Sequence, residues 1–581
     1  MPKDTHQIAD GPVILVGRYS AAGRKPSNQD AVGAVVPSGR TLTYKGAAFA
    51  MADGISTSPV AREAAEAATR AILSDYYCTS DAWTVRTAAS RVITATNAWL
   101  YGQGKRIGVA DREAGYVCTI ALLILKGRIA HVFHAGDSRI WRVFGATMEP
   151  LTHDHRIRVS DREGYLGRAL GADRDIEIDY RSLNLTPGDI FVMTTDGVHD
   201  WIEPSEAADL IRNAEDLDQA AERIAKAALD RGSDDNLTVQ IIRADALPAP
   251  GPDALPTEMG DLPVLAAPAP GADVDGLRVL REIHATDRSR IFLTAAPDGS
   301  KVALKIPSTE IVADPIALRR FMMEEWIARR IGSPHVLRAV EPPLPRTALY
   351  VATEWIEGRS LRQWMRDTGP AGIVTTRDIV GQLIHGLRAF HRREMLHQDL
   401  RPENVMIDGN GTVRIIDFGS TWVAGVEEIS PDTGIGAALG TYQYTAPEYL
   451  TGDAISWRSD LYSLGTIAYE LLTGRLPYGA EAAKVRSRRD AMRLNYRAAT
   501  ADPSAHVPPW MDSALRRAVH PDPLRRHHAL SEFLAELRAP SARTRAEHHR
   551  PLMERDPVRF WQAVSAILVL ILIAALAWPG P

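Results

Sequence analysis

HQDLRPEN at residues 397–404, followed by DFG at residues 417–419, is the stretch of this 581-residue sequence that decides the fold of its C-terminal half. Strand-like residues from Gly276 to Ile306 precede a long helical remainder that begins near Arg377. This order predicts a small sheet lobe followed by a larger helical lobe. Four further motifs keep a fixed order around the stretch: VALK at 302–305, TAPE at 445–448, DLYSLG at 460–465 and DPLRR at 522–526.

The ordered motifs resemble those of the eukaryotic-like protein kinase family over residues 277–537. The resemblance implies phosphoryl transfer from ATP to Ser or Thr of proteins, in which Asp399 orients the substrate hydroxyl. It also implies that Asn404 and Asp417 hold Mg²⁺ against the ATP phosphates. Arg401 stands where Ser/Thr kinases usually carry Lys, which favours Ser or Thr over Tyr as the phosphate acceptor.

The same resemblance outlines a nucleotide site. Lys305 is expected to contact the α- and β-phosphates and to be oriented by an ion pair with Glu324, for which the neighbouring Glu325 is the alternative. Glu448 is expected to pair with Arg526 and to brace the large lobe. Residues Thr353–Ile356 are expected to form the hinge that takes the adenine edge, and the candidate ATP-binding residues around it are Ile283, Ile291, Glu354 and Ile356.

Two departures from the kinase pattern carry information. The loop that usually covers the phosphates with glycines holds His284, Thr286 and Ser289 at those positions. Their Cβ atoms hinder the closest backbone approach, so weaker ATP binding or slower turnover is expected. Gln398 stands where many kinases have an Arg that meets an activation-loop phosphate, so loop phosphorylation is not the expected switch.

The N-terminal half carries Asp residues at the ends of strand-like runs or in the turns beside them. A strand end followed by glycine lets a carboxylate point into a shared cleft. Such hard oxygen ligands suit Mg²⁺ or Mn²⁺, and two ions about 4 Å apart could activate a water and clamp a phosphoryl group. The candidates are Asp53 in MADG, Asp137 in AGDSR, Asp196 in TTDG and Asp235 in SDDNLT.

Together with SNQDA, these motifs resemble the metal-dependent Ser/Thr protein phosphatase family across residues 12–243. The resemblance implies an αββα sandwich and a centre of two or three Mn²⁺ or Mg²⁺ ions. Its implied ligands are Asp53, the Gly54 carbonyl, Asp196 and Asp235, with Asp137 at a third, weaker ion. The family's phosphate-binding Arg lies five residues before the position of Asp30. Lys25 holds that offset and Arg24 lies one residue further out, so both are candidates for binding the substrate phosphate.

The two halves together predict a bifunctional Ser/Thr protein kinase and phosphatase that acts in reversible protein phosphorylation, with other proteins and possibly itself as substrates. The glycine-free loop supports an alternative, an active phosphatase regulated by a non-catalytic, ATP-sensing pseudokinase domain. A formal net charge of −5 and the lack of a long basic stripe argue against a nucleic-acid partner. Two cysteines exclude a disulfide framework and a Cys-based zinc site.

Composition divides the chain further. Residues 244–276 are rich in Pro, Ala and Gly and predict a linker between the domains at 12–243 and 277–537. Residues 538–559 predict a juxtamembrane linker. The uncharged residues 560–578 predict a transmembrane tail anchor in the cell membrane, with the catalytic domains on the cytoplasmic side. The expected fold class is therefore α+β with a C-terminal transmembrane helix.

Overall fold

The computed structural model of the chain describes residues 12–107, 114–158, 164–248, 262–286, 289–428, 443–501, 505–540 and 557–577. Three parts of the predicted organisation therefore lie outside the described residues. They are residues 249–261 of the first linker, residues 541–556 of the second linker, and Trp578 at the end of the uncharged segment.

Two antiparallel sheets form the centre of the N-terminal half. Their strands, with a small separate hairpin β8–β9, are β1 (Val13–Ala21), β2 (Asp30–Val35), β3 (Ala47–Asp53), β4 (Ile120–Lys126), β5 (Ile129–Ala135), β6 (Arg139–Phe144), β7 (Thr147–Pro150), β8 (Arg156–Arg158), β9 (Gly164–Leu166), β10 (Asp179–Asn184), β11 (Asp189–Thr194) and β12 (Leu237–Ala246). One sheet has the order β1-β12-β11-β6-β7, and the other has the order β10-β5-β4-β3-β2.

Helices cover the outer face of each sheet, which completes an αββα sandwich. Helices α2 and α3 share a buried cluster with the second sheet, and α5 and α6 share one with the first. The helices of this half are α1 (Gly39–Lys45), α2 (Ala61–Tyr77), α3 (Val85–Arg106), α4 (Asp196–His199), α5 (Pro204–Arg212) and α6 (Leu217–Asp230).

Strand β3, AAFAMAD, shows why these strands are apolar throughout. Successive side chains of a strand point to opposite faces. Ala48, Ala50 and Ala52 face the helices, whereas Phe49 and Met51 face the other sheet. Because both faces are buried, the sequence shows a continuous apolar run in place of alternation. The run ends at Asp53, at the edge of the sandwich.

The alanine-rich residues 206–228 predict one helix, but the structure contains two. Helix α5 ends at Arg212, and α6 begins at Leu217. The carboxylate of Asp216 accepts a hydrogen bond from the backbone N–H of Gln219 at 2.7 Å and caps the start of α6. Asp is a strong N-cap residue because it satisfies an N–H that has no partner within the helix. This local capping interrupts an otherwise continuous helical pattern.

The C-terminal half has two lobes. Its small lobe contains an antiparallel sheet of order β13-β14-β15-β16-β17, with α7 and α8 beside it. The strands of this half are β13 (Asp273–Val274), β14 (Leu277–Ala285), β15 (Ser289–Ala295), β16 (Lys301–Pro307), β17 (Val351–Glu354), β18 (Gly358–Ser360), β19 (Met395–Leu396), β20 (Val405–Asp408), β21 (Val413–Ile415) and β22 (Trp422–Val423). The predicted order of a sheet lobe before a helical lobe is confirmed.

The large lobe packs its helices around the buried helix α13. Its capping box at Ser456 and its left-handed terminal glycine, Gly474, with φ of 66°, mark clear ends. The helices of the C-terminal half are α7 (Thr309–Ala313), α8 (Pro315–Arg330), α9 (Leu361–Thr368), α10 (Ile373–His391), α11 (Ala424–Glu427), α12 (Pro447–Thr451), α13 (Trp457–Thr473), α14 (Arg488–Ala491), α15 (Pro509–Ala518), α16 (Leu530–Arg538) and α17 (Pro557–Ala577).

The prediction of a membrane anchor requires correction. Crossing a hydrocarbon core of about 30 Å takes roughly 20 consecutive, predominantly apolar residues in one helix. Among the described residues, no helix combines the length and the apolar character that such a crossing needs. The predicted transmembrane helix at residues 560–578 is therefore wrong, and so is the cell-membrane localisation that depended on it. The α+β description applies to the two folded halves.

A buried ion pair joins distant parts of the large lobe. The guanidinium of Arg526 donates two hydrogen bonds to the carboxylate of Glu448, at 2.7 and 2.8 Å. Both residues are almost fully buried. Arg526 also donates to the carbonyl oxygens of His520 and Arg458, so its planar group is fully used. The expected pairing of Glu448 with Arg526 is confirmed.

Replacing Arg526 by Met should lower the free energy of unfolding of this lobe by about 3–5 kcal/mol, because it leaves the Glu448 carboxylate buried without its partner. The matched control is Arg525→Met, which changes an adjacent, exposed arginine and should cost less than about 0.5 kcal/mol. Urea unfolding of the full chain, followed by tryptophan fluorescence, measures both. Equal midpoints for the two variants would contradict this role of the pair.

Candidate active sites

The four predicted Asp residues of the N-terminal half lie at one edge of the sandwich. Asp53 ends β3, Asp137 follows β5, Asp196 begins α4 directly after β11, and Asp235 lies two residues before β12. Asp30 begins β2 and lies opposite Asp53 in the strand register. The strand ends thus bring together carboxylates that are far apart in sequence.

Burial and mutual repulsion raise the pKa of several of these carboxyl groups. Burial, reinforced by the neighbouring Asp30 and Asp196, raises the pKa of Asp53 well above its usual range. Burial, with Asp137 next in importance, raises the pKa of Asp196 to about 7. Such clustered acids accept a proton readily unless a cation shares the cleft. Their chemistry is therefore that of a divalent-cation site with hard oxygen donors.

Asp30 supports that fit with an orphaned atom. Its Oδ2 accepts hydrogen bonds from the hydroxyls of Thr238 at 2.6 Å and Thr195 at 3.0 Å. Its Oδ1 is buried and has no hydrogen-bond partner among the described residues. Burial raises the pKa of Asp30 to about 6. A buried carboxylate oxygen without a donor is costly, and a nearby cation or its hydration shell would offset that cost.

Gly54 follows Asp53 where the chain turns tightly. Its N–H donates to the carbonyl oxygen of Gln29 at 3.2 Å. A Cβ atom at this position would lie 2.4 Å from the carbonyl oxygen of Ala61, so only glycine fits. The structure thus explains the glycine by close backbone approach, while the ligand role of its carbonyl remains a prediction.

Two basic side chains partly neutralise the acidic cleft. Arg156 donates to Asp137 at 2.6 Å and also to Asp196. Lys25 pairs with Asp235 and donates to the Ser56 hydroxyl at 2.7 Å. Sequence reasoning missed Arg156, because it lies on the short hairpin strand β8 and outside the quoted motifs.

The two candidate phosphate-binding cations differ in direction. Lys25 lies against the acidic cleft, as its ion pair with Asp235 shows. The guanidinium of Arg24 instead donates to the carbonyl oxygen of Leu229, at 3.4 Å. Of the two, Lys25 is the cation that lies beside the predicted acids, and its contact with a substrate phosphate stays a prediction.

The carboxylates are spread along the cleft. In the part of the chain that the structure describes, one group offers three potential ligand atoms within 4.8 Å of one another, namely His134, His155 and Asp179. Hydrogen bonds account for two members of this group, since His155 contacts the N–H of Gly136 and the Asp179 carboxylate. The predicted acids form no such group of three among the described residues, and their role as metal ligands stays a prediction.

The C-terminal half places its predicted catalytic residues between the lobes. The ammonium of Lys305 on β16 donates to both carboxylate oxygens of Glu324 on α8, at 2.6 and 2.7 Å. Glu325 points elsewhere and pairs with Arg329 and Arg346. The structure thus decides between the two candidate glutamates.

Asp399 and Asn404 lie together in the loop after β19. The Asn404 amide donates to the backbone oxygen and to a carboxylate oxygen of Asp399, both at 2.9 Å. Burial raises the pKa of Asp399 to about 6, while the nearby Arg401 guanidinium opposes that shift. Arg401 itself pairs with Glu403 at 2.9 Å. The negative charge of the nearby Asp417 adds to the rise in the pKa of Asp399.

The backbone of this loop is held by a buried carboxylate. Gln398 has a φ of 68°, which is uncommon for a residue other than glycine. The two oxygens of Asp460 accept from the N–H groups of His397 and Gln398, each at 3.0 Å. These bonds stabilise the unusual conformation and direct the following Asp399.

The residues expected to bind adenine lie on the small-lobe sheet and just after its last strand, β17. Ile356 is buried, and Ile283 and Ile291 are half-buried on β14 and β15. Glu354 closes β17, and its N–H donates to the carbonyl oxygen of Arg338 at 3.0 Å. The contact of these four residues with adenine stays a prediction.

Thr286 and Ser289, on either side of residues 287–288 in the glycine-free loop, are hydrogen-bonded to each other. The N–H of Thr286 donates to the carbonyl oxygen of Ser289 at 2.9 Å. The N–H of Ser289 donates to the Thr286 hydroxyl at 3.1 Å. These residues thus supply the turn with side-chain and backbone hydrogen bonds where glycines would supply backbone freedom.

The two sites lie in two separate folds. One is an αββα sandwich with an acidic cleft, and the other is a bilobal domain with a Lys–Glu pair, and both arrangements suit phosphate chemistry. Comparison with family models agrees: residues 18–240 match Protein phosphatase 2C, and residues 288–546 match Protein kinase domain. The chain therefore carries a domain of the protein phosphatase 2C family followed by a protein kinase domain.

Curated relatives match the kinase half. The serine/threonine-protein kinase PknA of Corynebacterium glutamicum is 34% identical over 187 residues, which cover 31% of this chain and 39% of the relative. The serine/threonine-protein kinase Pkn1 of Myxococcus xanthus is 30% identical over 318 residues, which cover 51% of this chain and 44% of the relative. The chain thus spans about two fifths of the length of these relatives.

Solved structures match the phosphatase half. A structure described as PppA, a key regulatory component of T6SS in Pseudomonas aeruginosa, is 22% identical and covers 40% of this chain and 97% of its own. The Mycobacterium tuberculosis serine/threonine phosphatase PstP/Ppp is 18% identical and covers 40% of this chain and 99% of its own. Their TM-scores are 0.35 and 0.33, so the assignment rests on the family models and on the site.

Replacing Lys25 by Met should raise the KM for phosphorylated peptide about tenfold or more, since a charge-assisted hydrogen bond contributes roughly 1.5–3 kcal/mol. Arg24→Met is the matched control and should change KM less than about twofold, because its guanidinium points to Leu229. Steady-state kinetics with a phosphoserine peptide separates the two. A larger effect at Arg24 would contradict the orientation of these side chains.

Proposed function

We propose that the chain is a bifunctional enzyme that phosphorylates Ser and Thr of proteins with its kinase domain and hydrolyses such phosphoesters with its phosphatase domain. The observation that carries the kinase half is the intact set of charged contacts, Lys305 with Glu324 and Asp399 with Asn404. A domain that has lost catalysis has no need to keep these contacts together. The buried carboxylates around Asp53 carry the phosphatase half.

In the phosphatase domain, we assign the metal ligands to Asp53, the Gly54 carbonyl, Asp196 and Asp235, with Asp137 at a third ion. Mn²⁺ or Mg²⁺ bound there supplies Lewis acidity and an activated water. The chain's own contribution is to hold these oxygens at the ends of rigid strands and to present Lys25 to the substrate phosphate. As a flexible point charge, Lys25 attracts the phosphate without the two-pronged grip of an arginine.

In the kinase domain, Asp399 would accept a hydrogen bond from the substrate hydroxyl and orient it for attack on the γ-phosphate of ATP. Lys305, fixed by Glu324, would hold the α- and β-phosphates, and Arg401 would place positive charge beside Asp399 and the transferred group. Asn404 and Asp417 would hold Mg²⁺, which neutralises the phosphates. Ile283, Ile291, Glu354 and Ile356 would enclose the adenine.

The second candidate function, a phosphatase regulated by an ATP-sensing pseudokinase, is favoured by one observation. The loop over the expected phosphate position uses Thr286 and Ser289 in its turn, and their side chains occupy space that glycines leave open. Nucleotide could bind there without productive alignment of the γ-phosphate. The two functions differ in whether the chain transfers phosphate at all.

Asp235→Asn should abolish Mn²⁺-dependent hydrolysis of an aryl phosphate, because it removes a charged metal ligand. The matched control is Asp234→Asn, which changes the exposed neighbour and should leave the rate within about twofold. Colorimetric assay of the full chain, with and without chelator, measures both. Hydrolysis that persists in chelator would contradict the metal-dependent mechanism.

In the Asp235→Asn chain, added ATP should produce autophosphorylation, and Asp399→Asn in the same chain should lower its rate about 10³-fold or more by removing the group that orients the hydroxyl. Radiolabelled ATP measures incorporation. Retained aryl phosphatase activity of the single Asp399→Asn variant is the control for folding. No incorporation by the Asp235→Asn chain would support the pseudokinase function.

If the chain is its own substrate, the phosphatase should remove phosphates that the kinase adds. The Asp235→Asn chain should then carry more phosphorylated residues than the unaltered chain after equal incubation with ATP, since the tethered domains act at high effective concentration. Mass spectrometry of both proteins counts these residues. Equal numbers would contradict self-dephosphorylation.

A further inference from the structure

The phosphatase domain packs against the kinase elements that control catalysis, and we call this contact the domain interface. On the phosphatase side it comprises residues 81–87 with Tyr44 and Lys126. On the kinase side it comprises helix α8, residues 392–394, and residues 423–428. Tyr44 and Ala82 belong to the same buried apolar cluster as the kinase core, and Tyr44 stacks on Trp326 of α8 with ring centroids 5.9 Å apart.

Lys126 is the buried charge of the domain interface. Its side chain is 1% exposed, and its ammonium donates to the carbonyl oxygen of Gly425 at 2.7 Å and to the carboxylate of Glu428 at 3.0 Å. Both partners belong to the kinase domain. A buried ammonium without partners is strongly unfavourable, so these two kinase residues complete a site that the phosphatase domain leaves open.

The start of helix α3, where the Thr84 hydroxyl accepts from the N–H of Thr87, also receives two carboxylates from the kinase domain. The carboxylate of Glu428 accepts from the N–H of Val85 at 2.9 Å. The carboxylate of Glu394 accepts from the N–H of Thr84 at 2.8 Å and from the Thr87 hydroxyl at 2.6 Å. The first N–H groups of a helix have no partner within it and favour negative charge. The domain interface is therefore complementary in charge as well as in shape.

Close backbone approach fixes the position of Gly425. Its N–H donates to the carbonyl oxygen of Ala82 at 3.0 Å. A Cβ atom on Gly425 would lie 2.6 Å from the carbonyl oxygens of Asp81 and Trp83. Trp83 also donates its indole N–H to the carbonyl oxygen of Arg392 at 3.1 Å. The contact thus has no room for even one additional carbon.

The elements held at the domain interface are those that a kinase must position. Helix α8 carries Glu324, and its Arg330 pairs with Asp81 of the phosphatase domain at 3.3 Å. Residues 423–428 begin the segment that runs from DFG to TAPE. Catalysis requires both the Lys–Glu pair and the DFG aspartate in place, and activation-loop phosphorylation commonly secures them. Gln398 cannot serve as a cationic receptor for such a phosphate.

We propose that the docked phosphatase domain performs this positioning, with Lys126 as a positioning residue that anchors the start of the activation segment through Gly425 and Glu428. The kinase domain is then competent without a loop phosphate, because a neighbouring domain supplies the cation and the packing surface. The inference rests on the proposed kinase activity. It assigns the phosphatase domain a second role that does not depend on its metal ligands.

Two variants of the full chain test this role in the Asp235→Asn background. Lys126→Met removes the charge but keeps much of the volume. Gly425→Ala adds the carbon that has no room, although alanine favours helix α11 itself. Arg128→Met, on the same β4–β5 turn, controls for the first, and Gly409→Ala, where an added Cβ meets nothing within 4 Å, controls for the second.

Both interface variants should lower the autophosphorylation rate at least about tenfold, since small misplacements of catalytic groups are costly, whereas the KM for ATP should stay within about twofold. Amide hydrogen exchange should accelerate in residues 417–428. With Asp235 restored, aryl phosphate hydrolysis should be unchanged. Lys126 lies at the end of β4 remote from the acidic edge, roughly 20 Å away along the strand. Both control variants should behave like the parent.

Several outcomes decide against the proposal. Full kinase activity in Gly425→Ala overturns it, whether exchange in residues 417–428 accelerates or not. If Lys126→Met also loses phosphatase activity, its fold has failed and Gly425→Ala decides alone. A parent chain that incorporates no phosphate counts against the kinase function itself and overturns both. An active parent with active interface variants overturns the positioning role only.

Discussion

The burial of clustered carboxylates, reinforced by their mutual repulsion, is the constraint on which both sites depend. In the phosphatase domain, Asp53 and Asp196 approach each other because β3 and β11 end at the same edge, and the rigid sheets prevent their separation. Their raised pKa values show how unfavourable this arrangement is without a cation. The fold thus favours the binding of cations in this cleft. Divalent metal ions would offset the negative charge and would also supply the chemistry that phosphoester hydrolysis needs.

The kinase domain meets the same constraint with more of its own charges. Lys305 lies near both Glu324 and Asp417 and lowers the pKa of Asp417, whereas Arg401 only opposes the rise that burial causes in the pKa of Asp399. Burial still raises the pKa of Asp399 to about 6 and that of Glu324 to about 7, whereas the pKa of Asp417 lies below its usual value. At the domain interface the roles are exchanged, since a buried cation, Lys126, forms its ion pair with a carboxylate of the other domain.

Much of the fold could be predicted from local patterns. The apolar runs of β3 and β4 are continuous because two packed faces bury them, and the ordered kinase motifs follow the succession of lobes. Two predictions failed for identifiable reasons. The helix at residues 206–228 is divided by the cap at Asp216, which outweighs helical periodicity locally. The tail-anchor prediction relied on an uncharged run, and no described helix has the length and apolar character that a span requires.

By itself, the sequence determined which chemical groups are present and in what order. Motifs such as DFG or TTDG are short and contiguous, so they can be identified without knowing how the chain packs. It determined Asp53, Asp235, Asp399 and Asn404 as candidates in this way. Only the tertiary structure decided which cation reaches which acid. The pairing of Lys305 with Glu324, and not with Glu325, depends on side-chain directions. The burial of Lys126 against Glu428 depends on contact between residues hundreds of positions apart. No local pattern encodes such distances, since they arise when separate elements pack.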